Sequence, residues 1–241
     1  MTEVLAVRGL VKKYAGKLVV NGVSFGVEAG RIFGLLGPNG AGKTTTFKMI
    51  MGIVKPDGGD VVLDSTSIGR LPMFKRARMG LGYLAQEPAV IASFTVEENI
   101  WALLEARGIA RSQAKATAER LLEEFNLTYL LGRKADKLSG GERRRLEIAR
   151  TLAFEPRVLL LDEPFSGIDP KSVEEIQDQV VKLKERGLGV LLTDHNVRET
   201  FSITDTACII EKGTVIASGT PHELVDNPTV RETYLGDKFR L

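Results

Sequence analysis

Residues 37–44 read Gly37-Pro38-Asn39-Gly40-Ala41-Gly42-Lys43-Thr44, and this segment decides the fold. An apolar run with strand character, Ile32 to Leu36, precedes it, and a helical pattern follows from Thr45 towards Met51. The spacing is that of a phosphate loop in the strand, loop and helix context that such a loop requires. Its glycines let backbone N–H groups surround phosphate oxygens, and the helix start adds partial positive charge. A glycine-rich turn without a ligand is the alternative, and the complete spacing argues against it.

Two acidic residues, Asp162 and Glu163, follow the apolar strand pattern of Val158 to Leu161. Open α/β sheets place their ligands beyond the carboxyl ends of the strands. We therefore predict that Asp162 and Thr44 lie in the shell of a Mg²⁺ ion and that Glu163 polarises the attacking water. Two acids after a strand can also cap a helix. The upstream phosphate loop favours a nucleotide site, in which Lys43 neutralises charge on the β- and γ-phosphates.

A third motif, Leu138-Ser139-Gly140-Gly141-Glu142, directly precedes a charged helical pattern. Alone it would be an ordinary helix cap. Ser139 and the N–H groups of Gly140 and Gly141 can also form an anion site at the helix start. With this motif added, the sequence resembles the ATP-binding cassette family, in which this segment completes the nucleotide site of the opposite subunit.

The resemblance implies a role for four further residues. Gln86 matches the glutamine loop, which contacts Mg²⁺ and relays movement to a membrane partner, and His195 matches the switch histidine, which contacts the γ-phosphate. Tyr14 matches the aromatic residue that stacks on adenine, a use suited to its π-face, and Asp169 matches a loop that reports between subunits. From residue type alone, Gln86 could be a surface residue, His195 a structural residue and Tyr14 a core aromatic.

The resemblance implies an α/β fold: a P-loop NTPase core of the ATP-binding cassette type, an antiparallel β lobe and an inserted helical subdomain. Short apolar runs separated by turn residues dominate residues 4–68, whereas apolar residues recur at helical spacing between residues 93 and 125. After residue 139, helical and strand patterns alternate, which is typical of a parallel sheet. We predict one domain over residues 1–241, with the core and β lobe in 1–86 and 139–241 and the helical subdomain in 87–138.

Composition and charge exclude several classes of protein. The 241 residues are 43% hydrophobic and 27% charged, which excludes a disordered chain. The charges of 33 basic and 31 acidic residues nearly cancel, so the net charge of the chain is too small to attract nucleic acid or anionic lipid. A single cysteine cannot form an internal disulfide, and two histidines are too few for a metal site built from histidines. No apolar run reaches the roughly 18 residues that span a bilayer. The basic run Arg143 to Arg145 is predicted to be a solvated helix face.

Longer segments resemble the ATPases of lipopolysaccharide-export systems, in particular residues 194–199 and the tail from Tyr234 to Leu241. This resemblance implies ATP hydrolysis coupled to transport, with ATP and Mg²⁺ as cofactors and two copies of the chain binding two ATP head to tail. The ATPases of branched-chain amino acid importers are an alternative with a related tail. A soluble cassette protein acting on nucleic acid or ribosomes is the alternative from another class. The chain has one nucleotide domain and no long insertion, so nucleic acid is not expected as a partner.

The resemblance also implies transmembrane permease subunits that dock near Gln86 to Phe94. These subunits would hold the chain at the cytoplasmic face of the inner membrane. The segment is unusually apolar, with Pro88, Ala89, Val90, Ile91 and Phe94. Ile91 would contact a membrane helix in this interpretation, whereas a buried edge of the core is the alternative.

Overall fold

The computed structural model describes residues 2–240, so residues 1 and 241 of the predicted domain lie outside it. The strands in this range are β1 (Glu3–Tyr14), β2 (Lys17–Glu28), β3 (Ile32–Leu36), β4 (Gly58–Leu63), β5 (Thr66–Ser67), β6 (Leu81–Leu84), β7 (Val158–Asp162), β8 (Gly189–Thr193), β9 (Thr206–Glu211) and β10 (Thr214–Gly219). The α-helices are α1 (Lys43–Met51), α2 (Met73–Arg78), α3 (Glu98–Ala106), α4 (Arg111–Glu124), α5 (Gly140–Leu152), α6 (Pro170–Glu185), α7 (Val197–Phe201), α8 (Pro221–Asp226) and α9 (Pro228–Val230). Short 3-10 helices cover Thr128–Leu130 and Ala135–Lys137, and a π-helical turn covers Arg231–Leu235.

The strands form two sheets. The first is antiparallel and has the order β2-β1-β4-β5, and the second has the order β10-β9-β3-β8-β7-β6. In the second sheet the strands from β9 to β6 are parallel, and β10 is an antiparallel edge strand. Every residue of β3, β7 and β8 is buried, as expected for parallel strands that are covered on both faces.

Alternate side chains of β7 enter two different cores. Val158 and Leu160 pack with α1 and the antiparallel sheet, whereas Leu159 and Leu161 pack with α5 and α6. This division follows from the two-residue period of a strand, which sends successive side chains to opposite faces. The parallel sheet is therefore the central layer between the β lobe and the helices.

The helical subdomain lies between β6 and α5 in the chain. Its helices α3 and α4 pack on α5 through almost fully buried residues, including Ile100, Leu104, Leu122 and Phe125. The parallel sheet, the antiparallel lobe and the inserted helices are therefore the layers that the sequence predicts. The boundaries 87–138 of the subdomain remain a prediction.

The first two strands are longer than the short apolar runs of the sequence suggest. β1 continues through Gly9, and β2 continues through Gly22, with φ values of 59° and 70° at these glycines. The register between the two strands shifts next to both positions. The glycines therefore mark bulges within continuous strands rather than turns between separate ones.

The helices of the described range are short. The longest is α6, with 16 residues, whereas a helix needs about 20 apolar residues to cross a bilayer. Within residues 2–240, no helix has both the length and the apolar character that a membrane span requires.

Candidate active site

The phosphate loop connects the carboxyl end of β3 to the first turn of α1. Gly37 and Gly42 have φ values of 148° and 110°, which favour glycine. A Cβ atom on Gly37 would overlap the carbonyl oxygen of Ile210, and one on Gly42 would lie 2.8 Å from that of Val19. Glycine is therefore required at both positions by backbone conformation and by close packing.

Lys43 is buried beneath this loop. Its ammonium group donates hydrogen bonds to the carbonyl oxygens of Gly37, at 2.6 Å, and Pro38, at 3.0 Å. Burial lowers the pKa of Lys43, and the negative charges of Glu163 and Asp162 oppose this shift. The ammonium group of Lys43 is therefore close enough to Asp162 and Glu163 for their negative charges to act on it.

A cavity of about 280 Å³ lies over the loop. Its lining combines the phosphate loop with two predicted catalytic residues: Val19, Asn39, Gly40, Ala41, Gly42, Lys43, Thr44, Thr45, Glu163 and His195. Sites for whole drug-sized ligands start at about 300 Å³, so this cavity suits the phosphate part of a nucleotide. A larger open cavity of about 1010 Å³ on the β lobe contains none of the predicted site residues.

Glu163 is the residue on which the predicted side chains converge. One carboxylate oxygen, Oε1, lies 2.5 Å from His195 Nε2, and the other, Oε2, accepts a hydrogen bond from Gln86 Nε2 at 2.8 Å. The backbone of Glu163 has a φ of 53°, which is uncommon for a residue with a side chain. Such strained conformations cluster at functional sites because the surrounding structure has to enforce them.

Asp162 ends β7 and is buried. Its Oδ2 accepts a hydrogen bond from the Tyr83 hydroxyl at 3.2 Å, whereas its Oδ1 has no hydrogen-bond partner among the described residues. Burial raises the pKa of Asp162, and the bond from Tyr83 opposes the shift.

The surroundings of Asp162 fit a Mg²⁺ ion. Proteins hold Mg²⁺ through one or two carboxylates together with substrate phosphates, and the unpartnered oxygen of Asp162 is suited to this use. Thr44 on the first turn of α1 and Gln86 could supply further oxygen ligands. Within residues 2–240, no group of three or more His, Cys, Asp or Glu side chains forms a metal cage made of protein alone.

The prediction of a solvated face for Arg143 to Arg145 is wrong for two of the three residues. Arg143 is half-buried, but Arg144 and Arg145 are buried. Arg144 donates hydrogen bonds to the Glu147 carboxylate and to four backbone carbonyls, those of Ala85, Asp162, Glu163 and Pro164. A buried charge needs such partners. In the sequence, Glu147, three residues after Arg144, was the only local sign of a partner for Arg144.

Asp194 is a second residue of the site that sequence reasoning missed. It is buried, its Oδ2 accepts a hydrogen bond from the Phe165 N–H, and its Oδ1 accepts one from the Asn196 N–H, both at 2.9 Å. These bonds tie the loop that carries His195 to the loop that follows Glu163. Its position directly before a predicted switch histidine was the signal available in the sequence.

The predicted signature forms the start of α5. The Ser139 hydroxyl accepts a hydrogen bond from the Glu142 N–H at 3.3 Å, and the Glu142 carboxylate accepts one from the Ser139 N–H at 2.7 Å. Ser139 and Gly140 are exposed, and no residue from 139 to 141 lines the phosphate-loop cavity. Within one chain the signature therefore does not border the phosphate-loop cavity, and its pairing with the loop of a second copy remains a prediction.

Tyr14 and Asp169 lie outside the cavity. Tyr14 ends β1 and is 46% exposed, which excludes a core aromatic, and the Lys12 ammonium lies 5.4 Å from its ring centroid. Asp169 caps α6 and accepts hydrogen bonds from the Ser172 N–H at 3.1 Å and hydroxyl at 2.6 Å. Hydrogen bonding to Ser172 lowers the pKa of Asp169. The roles of Tyr14 and Asp169 remain predictions.

The C-terminal tail packs beside the phosphate loop. Tyr234 contacts the apolar cluster that contains Leu36, the residue before Gly37. Burial raises the pKa of Tyr234 to about 12, and a hydrogen bond with the Gly37 backbone opposes the shift. Further along the tail, Phe239 lies edge-to-face on Phe201 of α7, with 6.5 Å between the ring centroids.

Known proteins are similar to this chain in sequence and in fold. A family profile described as "ABC transporter" matches residues 20–166, and one described as "Branched-chain amino acid ATP-binding cassette transporter" matches residues 214–240. The lipopolysaccharide export system ATP-binding protein LptB of Acidithiobacillus ferridurans is 52% identical over 241 residues, which cover 100% of both chains. The protein of that name from Escherichia coli K12 is 48% identical over 238 residues, 98% of this chain and 99% of the relative. An ATP-binding cassette of an ABC transporter, solved in its ADP conformation, is 28% identical with a TM-score of 0.88, covering 98% of this chain and 100% of that one.

Replacing Asp162 by Asn tests how burial affects the carboxyl group that is predicted to hold the metal. Because burial raises the pKa of Asp162 above its unfolded value, its charged form is disfavoured in the folded protein. The difference in free energy of unfolding between Asp162→Asn and the parent should therefore shift in favour of the variant as pH rises from about 3 to 7. Urea unfolding without metal across this pH range measures the difference.

The same variant should lose the Mg²⁺ dependence of ATP binding, measured by titration with and without the ion. Asp178→Asn, on an exposed position of α6, is the matched control and should change neither property. Unaltered Mg²⁺ dependence in Asp162→Asn would contradict the assignment.

Proposed function

The chain belongs to the ATP-binding cassette family and is an ATP-hydrolysing subunit of an ABC transporter, and from this premise we propose that it powers lipopolysaccharide export. The full-length identity of 48–52% with relatives named for that system supports the proposal. A branched-chain amino acid importer is the alternative, supported by the profile match of the tail, which is confined to residues 214–240. The general profile match covers residues 20–166, from before the phosphate loop to beyond Glu163, and does not separate the two.

The meeting of Glu163 and His195 at the phosphate-loop cavity, with Gln86 bound to Glu163, is the observation that supports a hydrolytic site. We assign the loop N–H groups and Lys43 to binding of the β- and γ-phosphates. Glu163 would accept a hydrogen bond from the attacking water and align it with the γ-phosphorus. His195 and Gln86, one on each oxygen of Glu163, would fix the orientation of that carboxylate. Mg²⁺ held by Thr44, Asp162 and Gln86 would neutralise phosphate charge.

Two copies of the chain would form two composite sites, head to tail. Each site would combine residues 37–44 of one copy with Ser139, Gly140 and Gly141 of the other. The exposed start of α5 and its absence from the cavity within one chain support this arrangement. Tyr14 would stack on adenine at the exposed end of β1, and Asp169 would lie where the two copies meet.

We place the membrane partner at an apolar groove next to Gln86. A cavity of about 340 Å³ there is lined mainly by apolar side chains, including Met73, Phe74, Ala89 and Phe154. Phe74 is 53% exposed and Ile91, nearby in sequence to Ala89, is 39% exposed. An exposed apolar surface of this kind is typical of a protein contact, and it disfavours the alternative in which Ile91 lies in the core.

Transmembrane permease subunits docked on this groove would hold the chain at the cytoplasmic face of the inner membrane. This assignment contrasts with a soluble cassette acting on nucleic acid or ribosomes. An apolar groove supports contact with a membrane-protein helix, whereas nucleic acid would require a basic surface.

Complementation between two inactive variants tests the composite site. A mixed dimer of Lys43→Ala and Ser139→Arg chains keeps one intact site, so mixing should restore at most about one quarter of the parental ATPase rate for a symmetric dimer. The control is a chain carrying both substitutions, mixed with the parent and isolated as the mixed dimer through a different affinity tag on each chain, because that mixed dimer has no intact site. Mixed dimers that form without any recovery of activity would contradict the head-to-tail arrangement.

Substitutions in the groove, at Phe74, and in the docking segment beside it, at Ile91, test the membrane partner. Ile91→Asp and Phe74→Asp should leave thermal melting and ATP binding unchanged but abolish co-purification with the transmembrane subunits of a lipopolysaccharide exporter. Ile53→Asp, at a comparably exposed apolar residue outside both the groove lining and residues 86–94, should co-purify normally. Co-purification of the parent with branched-chain amino acid permease subunits instead would favour the alternative function, and groove variants that still assemble would exclude this docking surface.

A further inference from the structure

We propose that Tyr129 is a positioning residue that fixes the orientation of the Glu142 carboxylate beside the phosphate group bound by the start of α5. The inference rests on the composite site proposed above. Glu142 is the third residue of α5, so it places a negative charge in the same first turn as the N–H groups assigned to a nucleotide phosphate. Two anions at one helix start repel each other, and the site therefore needs a device that fixes this side chain.

The two carboxylate oxygens of Glu142 are held from different directions. Glu142 Oε2 accepts a hydrogen bond from the Ser139 N–H at 2.7 Å, which is part of the capping box. Glu142 Oε1 accepts a hydrogen bond from the Tyr129 hydroxyl at 2.9 Å. The capping box alone engages one oxygen, so Tyr129 is the contact that fixes the second.

Tyr129 lies on a short turn that is itself firmly anchored. Leu127 and Leu130 on either side are 0% and 2% exposed, whereas Tyr129 is 66% exposed. After the turn, the Gly132 N–H donates hydrogen bonds to the Glu97 carboxylate at 3.1 and 3.0 Å. The tyrosine ring therefore contributes little to the core, and its hydroxyl is a fixed donor aimed at Glu142.

The sequence of α5 suggests a substitution that removes the charge of Glu142 and keeps its place in the capping box. A capping box accepts Glu or Gln at its third helical position, because either side chain can accept the bond from the cap N–H. Glu142→Gln therefore keeps the cap but removes the negative charge. If Tyr129 acts by restraining the charged carboxylate, then loss of the Tyr129 hydroxyl should weaken ATP-driven dimerisation only while Glu142 is charged.

The test measures ATP-driven dimerisation in full-length chains that carry Glu163→Gln, so that hydrolysis does not deplete the nucleotide. Sedimentation at increasing ATP gives the concentration for half-maximal dimer. Tyr129→Phe should raise this concentration about 3- to 10-fold, the effect of losing one ordinary hydrogen bond. Adding Glu142→Gln should return it to within about twofold of the parent. Glu123→Gln, which removes a charge from an exposed position of α4, is the matched control and should not rescue.

Binding of ATP to dilute, monomeric chains should be the same in all variants, because Tyr129 does not line the phosphate-loop cavity. An unchanged dimerisation curve for Tyr129→Phe, or a defect that Glu142→Gln deepens, would overturn the role of Tyr129 while leaving the composite site intact. A parent that forms no dimer with ATP would overturn the composite site and this inference together. A melting temperature of Tyr129→Phe within a few degrees of that of the parent would show that the variant is folded.

Discussion

The parallel pairing of β3, β8 and β7 is the constraint on which the site depends. Asp162 at the end of β7 pairs with Thr193 at the end of β8, and β8 pairs with β3 along Ile32 to Gly34. Strands that run in the same direction end at the same edge of a sheet, so the loops after all three emerge together. The phosphate loop, Glu163 and His195 share one cavity because each is the first loop segment after one of these strands.

Buried polar side chains then fix the loops at this edge. Arg144 binds the carbonyl groups of Asp162, Glu163 and Pro164, and Asp194 binds the Phe165 and Asn196 N–H groups. These contacts satisfy backbone groups that would otherwise be buried without partners. They engage backbone groups only, so the carboxylates are held by other side chains: that of Asp162 by Tyr83, and that of Glu163, which lines the cavity, by Gln86 and His195. A rigid backbone with functional side chains aimed inward is the arrangement that pre-organised catalysis requires.

Sequence alone predicted the parts of the site that are contiguous in the chain. The phosphate loop, the acidic pair after β7 and the capped start of α5 each have a local pattern with a physical cause, so the residue order was enough to place their elements. Tyr129, Arg144 and Asp194 could not be assigned in this way, because their partners lie elsewhere. Arg144 contacts Ala85 across 59 residues, and Asp194 contacts Phe165 across 29. A charge run resembles a solvated face until the layer that covers it is known. The bulges in β1 and β2 resembled turns because the strand pairing that continues past their glycines is not visible in the residue order.

The central claim is that Glu163 orients the hydrolytic water while the phosphate loop binds the nucleotide independently. Single-turnover hydrolysis and equilibrium ATP binding, measured side by side on Glu163→Gln, test it most directly. Glu155→Gln is a close control, since Glu155 is exposed and also has a positive φ, 49°. We predict binding close to that of the parent and hydrolysis slowed about 100-fold or more, the usual contribution of a positioned base, with Glu155→Gln unaffected. Hydrolysis by Glu163→Gln at the parental rate would contradict the claim.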